Sequence, residues 1–131
     1  MRFRLVEQTK HDYQIGDIVF LNRDKVNGDL TKKLIQQKHM FVISNVKDNT
    51  IRVNTVTSNM KLLTRYPSYI PKEQTPFKKE SRIVLSSQGY VSKDAVYKVI
   101  GRLSENDAKG LFDAVKNNNY INQIIENTIR K

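Results

Sequence analysis

The chain of 131 residues contains no cysteine, and it contains only two histidines. Without cysteine there is neither a disulfide framework nor a thiolate metal site, and with two histidines we do not expect a dedicated zinc site. No apolar run approaches the roughly 20 residues that a helix needs to span a bilayer. We therefore expect no metal, no cofactor and no membrane partner.

A signal-peptide pattern is also missing, because the segment Met1-Arg2-Phe3-Arg4-Leu5-Val6 lacks a continuous apolar region. We therefore expect a cytoplasmic protein. The length suits a single domain over residues 1–131 with one modest core. Hydrophobic residues make up 38% of the chain, which is enough to fold and too much for a disordered sequence.

Positive charge is abundant: 23 Lys and Arg against 13 Asp and Glu give a formal net charge of +10. Such a charge favours a polyanionic partner, either a nucleic acid or an acidic protein segment. A basic surface that serves only solubility explains the charge equally well, so charge alone does not decide between these interpretations.

Residues 38–58 give the clearest structural signal. An apolar run, a polar turn at Lys47-Asp48-Asn49 and a β-branched run predict a β-hairpin. An antiparallel hairpin of this length brings its two ends to the same edge of a sheet. The candidates for one shared polar site are therefore the residues at those two ends, Lys38, His39, Thr57 and Ser58.

Two polar stretches flank this hairpin. Residues 22–37 are long for a loop inside a small domain, and such loops are usually functional or mobile. Residues 59–79 contain three prolines, which exclude a helix and a central strand, and they mix basic with aromatic side chains. That mixture is typical of single-stranded nucleic acid binding, although each ring taken alone is more often part of a core rim. The predicted binding residues are Arg23, Lys25, Lys61 and Arg65.

The other elements follow in a simple order. A first strand is predicted over residues 14–21, a short edge strand over 68–70, and further strands over 81–85, 89–91 and 95–100. Ser104, with an acid three residues later, predicts the start of a helix over 105–116. The sequence Asn117-Asn118-Asn119 is expected to end it, and isoleucines spaced over 121–129 predict a second amphipathic helix, which packs on a partner or on its own barrel. Short strands followed by helices indicate a mainly β fold, a small antiparallel barrel with C-terminal helices.

Three segments together resemble the MazF/PemK toxin family. The segment Ile15-Gly16-Asp17-Ile18-Val19 resembles the opening GDIV strand of that family. The segment Phe41-Val42-Ile43-Ser44-Asn45 resembles its RPAVVISN strand, and Thr55-Val56-Thr57-Ser58 resembles the following PITS segment. The segment Val99-Ile100-Gly101-Arg102-Leu103-Ser104 resembles its VIGKLS passage into the last helix. Order and spacing agree over residues 14 to about 116, and residues 117–131 look like an addition.

The resemblance implies an SH3-like barrel and a homodimer. It also implies metal-independent, sequence-specific cleavage of single-stranded RNA, in particular mRNA, and an antitoxin partner with an acidic tail. Lys38 matches the arginine of the family motif, His39 replaces its proline, and Thr57 matches its threonine. Some relatives carry an aspartate in a CDQ-like segment, where this chain has Ser86-Ser87-Gln88.

The chemistry of this cleavage assigns a role to each candidate. Lys38 supplies a cation, although without the planar fork of arginine. His39 titrates near neutrality and acts as base or acid, while Thr57 and Ser58 donate hydrogen bonds. Each also has an ordinary structural explanation, and His39 taken alone fits a strand-end histidine better. Two hypotheses follow: an endoribonuclease toxin, or a non-catalytic barrel that binds nucleic acid or an acidic protein tail.

Overall fold

The computed structural model describes residues 12–22, 40–58 and 67–130. They form one six-stranded antiparallel sheet and one helix, so the prediction of a mainly β fold with a helical C-terminus is confirmed. The elements are β1 (Asp17–Leu21), β2 (Phe41–Lys47), β3 (Thr50–Thr57), β4 (Ser68–Tyr69), β5 (Arg82–Ser92), a short 3-10 turn (Lys93–Ala95), β6 (Val96–Arg102) and α1 (Glu105–Arg130). The strand order across the sheet is β4-β5-β3-β2-β1-β6.

The predicted hairpin is strands β2 and β3, which pair from Phe41 opposite Thr55 to Lys47 opposite Thr50. Its turn contains Asp48 with a φ of 52°, a left-handed conformation that Asp tolerates better than most residues. The Thr50 hydroxyl donates to the carbonyl of Lys47 at 2.9 Å and closes the turn. The predicted edge strand is confirmed as β4, which pairs with β5 at the end of the sheet.

Strand β1 lies between β2 and β6, and the residues before it fix its start. Gly16 has a φ of +99°, and a Cβ there would lie 2.9 Å from the Cβ of Ala108, so both the backbone conformation and the helix require glycine. Asp17 is completely buried. Its carboxylate accepts from the backbone N–H of Gln14 at 2.9 Å and from Arg102 Nε at 2.6 Å, so it ties β1 to β6.

The two faces of the sheet carry separate apolar clusters. One face holds Val19, Leu21, Phe41, Ile43, Ile51, Val53, Val91 and Ala95. The other holds Ile18, Val42, Val56, Ile83, Leu85 and Leu103, and helix α1 packs on it through Leu111 and Val115. Alternation along each strand produces this division, since successive side chains point to opposite faces.

Strand β5 corrects one expectation. The sequence predicts separate strands over residues 81–85 and 89–91, whereas β5 runs without interruption through both. Of the polar residues between them, Gln88 pairs with Asn54 on β3, and the irregularity appears as a register shift between Asn54 and Val56. A bulge of this kind absorbs extra residues without ending a strand.

The helical end corrects a second expectation, because the predicted pair of C-terminal helices is one continuous helix of 26 residues. The Asn117-Asn118-Asn119 run does not end it. Asparagine costs a helix only a fraction of a kcal/mol per residue, about 0.7 at most, and no glycine or proline follows Gly110. The side chain of Asn119 also binds that of Gln88 on β5 at 2.5 Å, which holds the middle of the helix on the sheet.

Beyond this point the helix presents apolar side chains that the sheet does not cover: Tyr120, Ile121, Ile124 and Ile125 are between 46% and 64% exposed. They do not pack on the described part of the sheet, which was one of the two placements expected for the isoleucines. The polar stretch after Asn22 and the segment before residue 12 lie outside the described residues. Within the described residues, no helix combines the length and hydropathy needed to cross a membrane.

Candidate phosphate-binding site at the end of β3

Hydroxyl groups gather at the C-terminal end of β3. Thr55 and Thr57 are 5% and 8% exposed, and alternation places them on the same face as Ile51 and Val53. The hydroxyl of Thr55 lies 2.6 Å from that of Ser87 on β5. Ser58 follows at the surface. The end of β3 therefore carries hydrogen-bond donors and acceptors beside an apolar cluster.

Arg82 brings a cation to the same place. It lies directly opposite Thr57 in the pairing of β3 with β5, and directly opposed residues have Cβ atoms about 4.5–5.5 Å apart on one face. The Nε of Arg82 is buried and finds no hydrogen-bond acceptor among the described residues. A buried donor without a partner costs about 1–3 kcal/mol, so an anion that accepts from it gains more than at an exposed arginine.

The structure describes only part of the predicted catalytic set. Thr57 is placed as expected, at the end of β3, and Ser58 follows it. Lys38 and His39 lie outside the described residues, which resume at Met40. The carbonyl of Met40 accepts from the N–H of Val56 at 3.1 Å, so Met40 itself lies next to the end of β3.

The four predicted binding residues, Arg23, Lys25, Lys61 and Arg65, also lie outside the described residues. The described residues stop at Asn22, after β1, and again at Ser58, after β3. Their role therefore stays a prediction.

A second polar cluster lies on the face that α1 covers, and sequence reasoning missed it. Arg52 is 6% exposed. Its Nε donates to the hydroxyl of Ser44 at 2.8 Å and its Nη2 to the carbonyl of Ser44 at 3.0 Å. Its guanidinium also lies 6.0 Å from the centre of the Phe112 ring, within reach of a cation–π contact.

Asn54 completes this second cluster. The hydroxyl of Ser44 donates to Asn54 Oδ1 at 2.5 Å. The amide nitrogen of Asn54 donates in turn to the carbonyls of Val84 and Leu85 at 3.0 and 3.2 Å. The cluster bridges β2, β3 and β5 at the bulges, where the backbone pairing is irregular. Its donors and acceptors are directed at one another, which is the arrangement of a structural network.

Asp107, in the first turn of α1, is a third buried polar group. It accepts from the Tyr69 hydroxyl at 2.7 Å and from the backbone N–H groups of Lys72 and Glu73 at 2.8 and 3.0 Å. Burial alone would raise the pKa of Asp107, but the hydrogen bonds from Lys72, Tyr69 and Glu73 together lower it below the ordinary value. Burial, then the bond to Asp107, raise the pKa of Tyr69 to about 12. Asp107 thus holds the loop after β4 on the helix.

The chemistry available at the end of β3 is narrow. Hydroxyls at Thr55, Thr57, Ser58 and Ser87 donate or accept hydrogen bonds, and Arg82 adds a fixed positive charge. The hydroxyl groups of serine and threonine are neutral donors and acceptors. Nowhere in the described ranges do three or more His, Asp or Glu side chains group closely enough to hold a metal ion. This part of the site is therefore suited to binding an anion such as a phosphodiester.

Sequence reasoning missed Arg82 because the signal is not local. Arg82 stands in an ordinary strand beginning, 25 positions after Thr57, and only the register of β5 on β3 places the two together. The Ser81–Leu85 segment was predicted as a strand, but the alternation of apolar and polar residues does not reveal which strand lies beside it in the sheet.

The chain matches no known protein-family profile and no curated protein sequence.

Proposed function

We propose that this protein is a metal-independent endoribonuclease that cleaves single-stranded RNA at short sequences, with the SH3-like barrel fold of the MazF/PemK toxins. The proposal starts from the resemblance of three segments, each of which is weak alone. The structure supports it because the three segments are hydrogen-bonded to one another through Gly16.

The observation that carries the proposal is the position of Gly16. Its N–H donates to the carbonyl of Ile43, in the second resembling segment, at 2.8 Å. Its carbonyl accepts from the N–H of Leu103, in the third segment, at 2.9 Å. Three stretches that are separated by up to about 80 residues in the chain therefore join at one glycine, as expected if all three belong to one structural motif.

The proposed reaction needs no group other than the RNA and protein side chains. The 2′-oxygen attacks the adjacent phosphorus, and the bond from phosphorus to the 5′-oxygen breaks. A base accepts the 2′-hydroxyl proton, and an acid protonates the leaving 5′-oxygen. The products are a 2′,3′-cyclic phosphate and a 5′-hydroxyl. In our proposal His39 is the base or the acid, Lys38 faces the phosphoryl oxygens, and Thr57 and Ser58 donate hydrogen bonds to them.

The test is incubation of the purified protein with mixed-sequence single-stranded RNA and EDTA, followed by analysis of the product ends. We expect cyclic phosphate and 5′-hydroxyl ends. Lys38→Ala should lower the rate constant by about 10²-fold or more, because charge that develops on the phosphoryl oxygens loses its cation. Thr57→Val should cost less, since it removes one neutral donor and keeps the side-chain shape.

Three further variants sharpen the assignment. Lys38→Arg should keep or raise activity, because arginine adds bidentate geometry. Lys98→Ala, on the exposed surface of β6, is the control and should leave the rate unchanged. His39→Ala should flatten the pH dependence of the rate near neutrality if the imidazole transfers a proton. Equal rates for Lys38→Ala and the parent would show that the site is wrong.

A second candidate function is a non-catalytic module that binds nucleic acid or an acidic protein tail. The observation that favours it lies in the sequence: Lys38 replaces the arginine of the family motif, and Ser86-Ser87-Gln88 lacks the aspartate of some relatives. A parent protein that binds single-stranded RNA with strong salt dependence, but cuts none of it in the assay above, would select this function.

The proposed assembly is a homodimer that an acidic antitoxin binds through the positive surface. The half-exposed apolar side chains in the C-terminal half of α1 support it, because a second copy could cover them. Light scattering at tens of micromolar should give twice the mass of the chain. Ile121→Asp with Ile124→Asp should give a monomer if this surface forms the interface, and a dimer that persists in this variant would place the interface elsewhere.

A further inference from the structure

We propose that Arg82 binds a phosphate of the RNA beside Thr57. This inference rests on the proposed function, because it assigns a further substrate-binding residue to the same reaction. The resemblance itself assigns nothing to residue 82.

The first step of the argument is position. Thr57 and Arg82 are paired across β3 and β5, so their side chains leave the sheet on the same face within a few ångströms. The hydroxyl pair of Thr55 and Ser87 lies on that face as well. A phosphate that accepts a hydrogen bond from Thr57 is therefore within the length of an arginine side chain from Cα of residue 82.

The second step is the state of the guanidinium. Arg82 Nε has no acceptor among the described residues and is itself buried, while the side chain as a whole is partly exposed. The guanidinium is thus partly accessible as a residue, and one of its donors lacks an acceptor in the part of the chain that the structure describes. Two non-bridging phosphate oxygens can accept from Nε and a neighbouring Nη in the side-on, bidentate manner of arginine–phosphate pairs.

The third step concerns which anion fits. One fixed charge surrounded by hydroxyl donors matches a phosphodiester, which carries one negative charge and several acceptor oxygens. The planar fork of Arg82 also supplies what Lys38 lacks at the position where the resembled family has arginine. An acidic peptide offers carboxylates to the same cation, and the experiment therefore includes one.

The experiment measures binding separately from cleavage. The probe is a mixed-sequence single-stranded RNA with 2′-fluoro sugars throughout, which lacks the attacking hydroxyl and so cannot be cut by the proposed reaction. Fluorescence anisotropy gives its affinity at several salt concentrations for the parent and three variants: Arg82→Gln, Arg82→Lys and, as a control, Lys98→Ala. Circular dichroism and thermal unfolding verify that each variant is folded.

For Arg82→Gln we expect an affinity at least 10-fold lower, and a slope of log affinity against log salt that is smaller by about 0.7, the value for one phosphate contact with a single strand. Arg82→Lys should keep the parent slope, because the charge remains, but bind several-fold more weakly, because the fork is lost. Lys98→Ala should match the parent in affinity. Parent-like affinity and slope in Arg82→Gln would overturn the inference, as would binding of an acidic peptide with no binding of the RNA probe.

Cleavage of unmodified RNA separates the two proposals. If the parent cuts RNA and Arg82→Gln cuts it at the same rate with an unchanged salt slope, the inference fails and the proposed function stands. If the parent does not cut RNA but its binding of the probe depends on Arg82, the endoribonuclease proposal fails and the phosphate contact stands. A loss of about 10²-fold in kcat/KM for Arg82→Gln, with parent-like activity in Lys98→Ala, supports both.

Discussion

Arg52 and Arg82 lie on neighbouring strands, but the same type of side chain has a different environment at each position. Arg52 on β3 lies on the face that the helix covers, and both its Nε and its Nη2 donate to Ser44. Arg82 on β5 lies on the opposite face, beside Thr57, and its Nε has no acceptor among the described residues. A buried donor that is satisfied by the protein holds the fold, whereas one without a partner is available to a ligand.

This contrast extends to the surroundings of each arginine. Around Arg52, the side chains of Ser44 and Asn54 direct their polar atoms at one another and at backbone carbonyls. On the face of Arg82, the sheet places the hydroxyls of Thr57, Thr55 and Ser87, the last two 2.6 Å apart, and hydroxyls both donate and accept hydrogen bonds. We therefore expect substitutions on the helix-covered face to change stability, and substitutions at the end of β3 to change binding.

The largest effect is expected for Arg52→Ala. The change leaves the Ser44 carbonyl without its side-chain donor, removes the contact with Phe112 and opens a cavity under the helix, so we expect a loss of about 3 kcal/mol in the free energy of unfolding. Urea unfolding followed by circular dichroism measures it. The matched change on the other face, Arg82→Gln, should alter stability by less than about 1 kcal/mol. Similar losses for both variants would refute the contrast between the two arginines.

Asp107→Asn is expected to have the next largest effect, about 2 kcal/mol at neutral pH. The carboxylate accepts three hydrogen bonds that join α1 to the loop after β4, and hydrogen bonds to a charged acceptor are stronger than those to a neutral amide. The same measurement in urea tests it. Asp113→Asn, on the same helix and not buried, is the control and should stay within about 0.5 kcal/mol of the parent.

The pH dependence of this effect has a definite sign. Because the pKa of Asp107 is lowered in the folded protein, the unfolded chain takes up the proton first as the pH falls. The stability that Asp107 contributes is therefore complete above its ordinary pKa of 3.8 and is lost as the pH falls below that value, through the pKa of the folded state. The parent should lose more stability between pH 5 and pH 2 than Asp107→Asn does. Parallel curves for the two proteins would contradict this assignment.

The sequence alone predicts the elements whose pattern is local. The β2–β3 hairpin follows from an apolar run, a turn and a β-branched run, and the start of α1 follows from Ser104, whose hydroxyl accepts from the N–H of Asp107 at 3.1 Å. The position of Thr57 at the end of a strand follows in the same way. These features depend on residues within a few positions of one another.

What the sequence does not predict depends on pairings between distant residues. Arg82 joins Thr57 only through the register of β5 on β3, and Asn119 supports the asparagine run of the helix only by reaching Gln88 across the sheet. From the sequence of the hairpin alone, Arg52 would be predicted as an exposed surface charge. It is buried because α1, which begins more than 50 residues later in the chain, covers it. The hydrogen-bonded cluster around Arg52 and the candidate site around Arg82 therefore both depend on tertiary contacts.

Gly110 gives a smaller effect whose direction tests the rigidity of the helix-covered face. In an exposed helix, Gly→Ala stabilises by up to about 1 kcal/mol. Here an added Cβ would overlap the hydroxyl of Tyr69 and lie 2.9 Å from its Cζ, and the hydrogen bond to Asp107 prevents the ring from moving away. We therefore expect Gly110→Ala to destabilise, by about 1 kcal/mol. In a background of Tyr69→Phe the cost of Gly110→Ala should be smaller, and an equal or larger cost there would contradict this explanation.

The smallest effects are expected in the open site, from the hydroxyl pair of Thr55 and Ser87. Thr55→Val keeps the side-chain shape and the β-branch but leaves Ser87 without this partner, and Ser87→Ala does the reverse, so each should cost about 0.5–1 kcal/mol. The double variant removes both polar groups and should cost less than the sum, with a coupling of about 0.5 kcal/mol or more. Chemical unfolding of the four proteins measures the cycle. If the losses of the two single variants add up to the loss of the double variant, the 2.6 Å contact contributes nothing to stability. In that case a ligand could bind these hydroxyls without breaking a stabilising hydrogen bond.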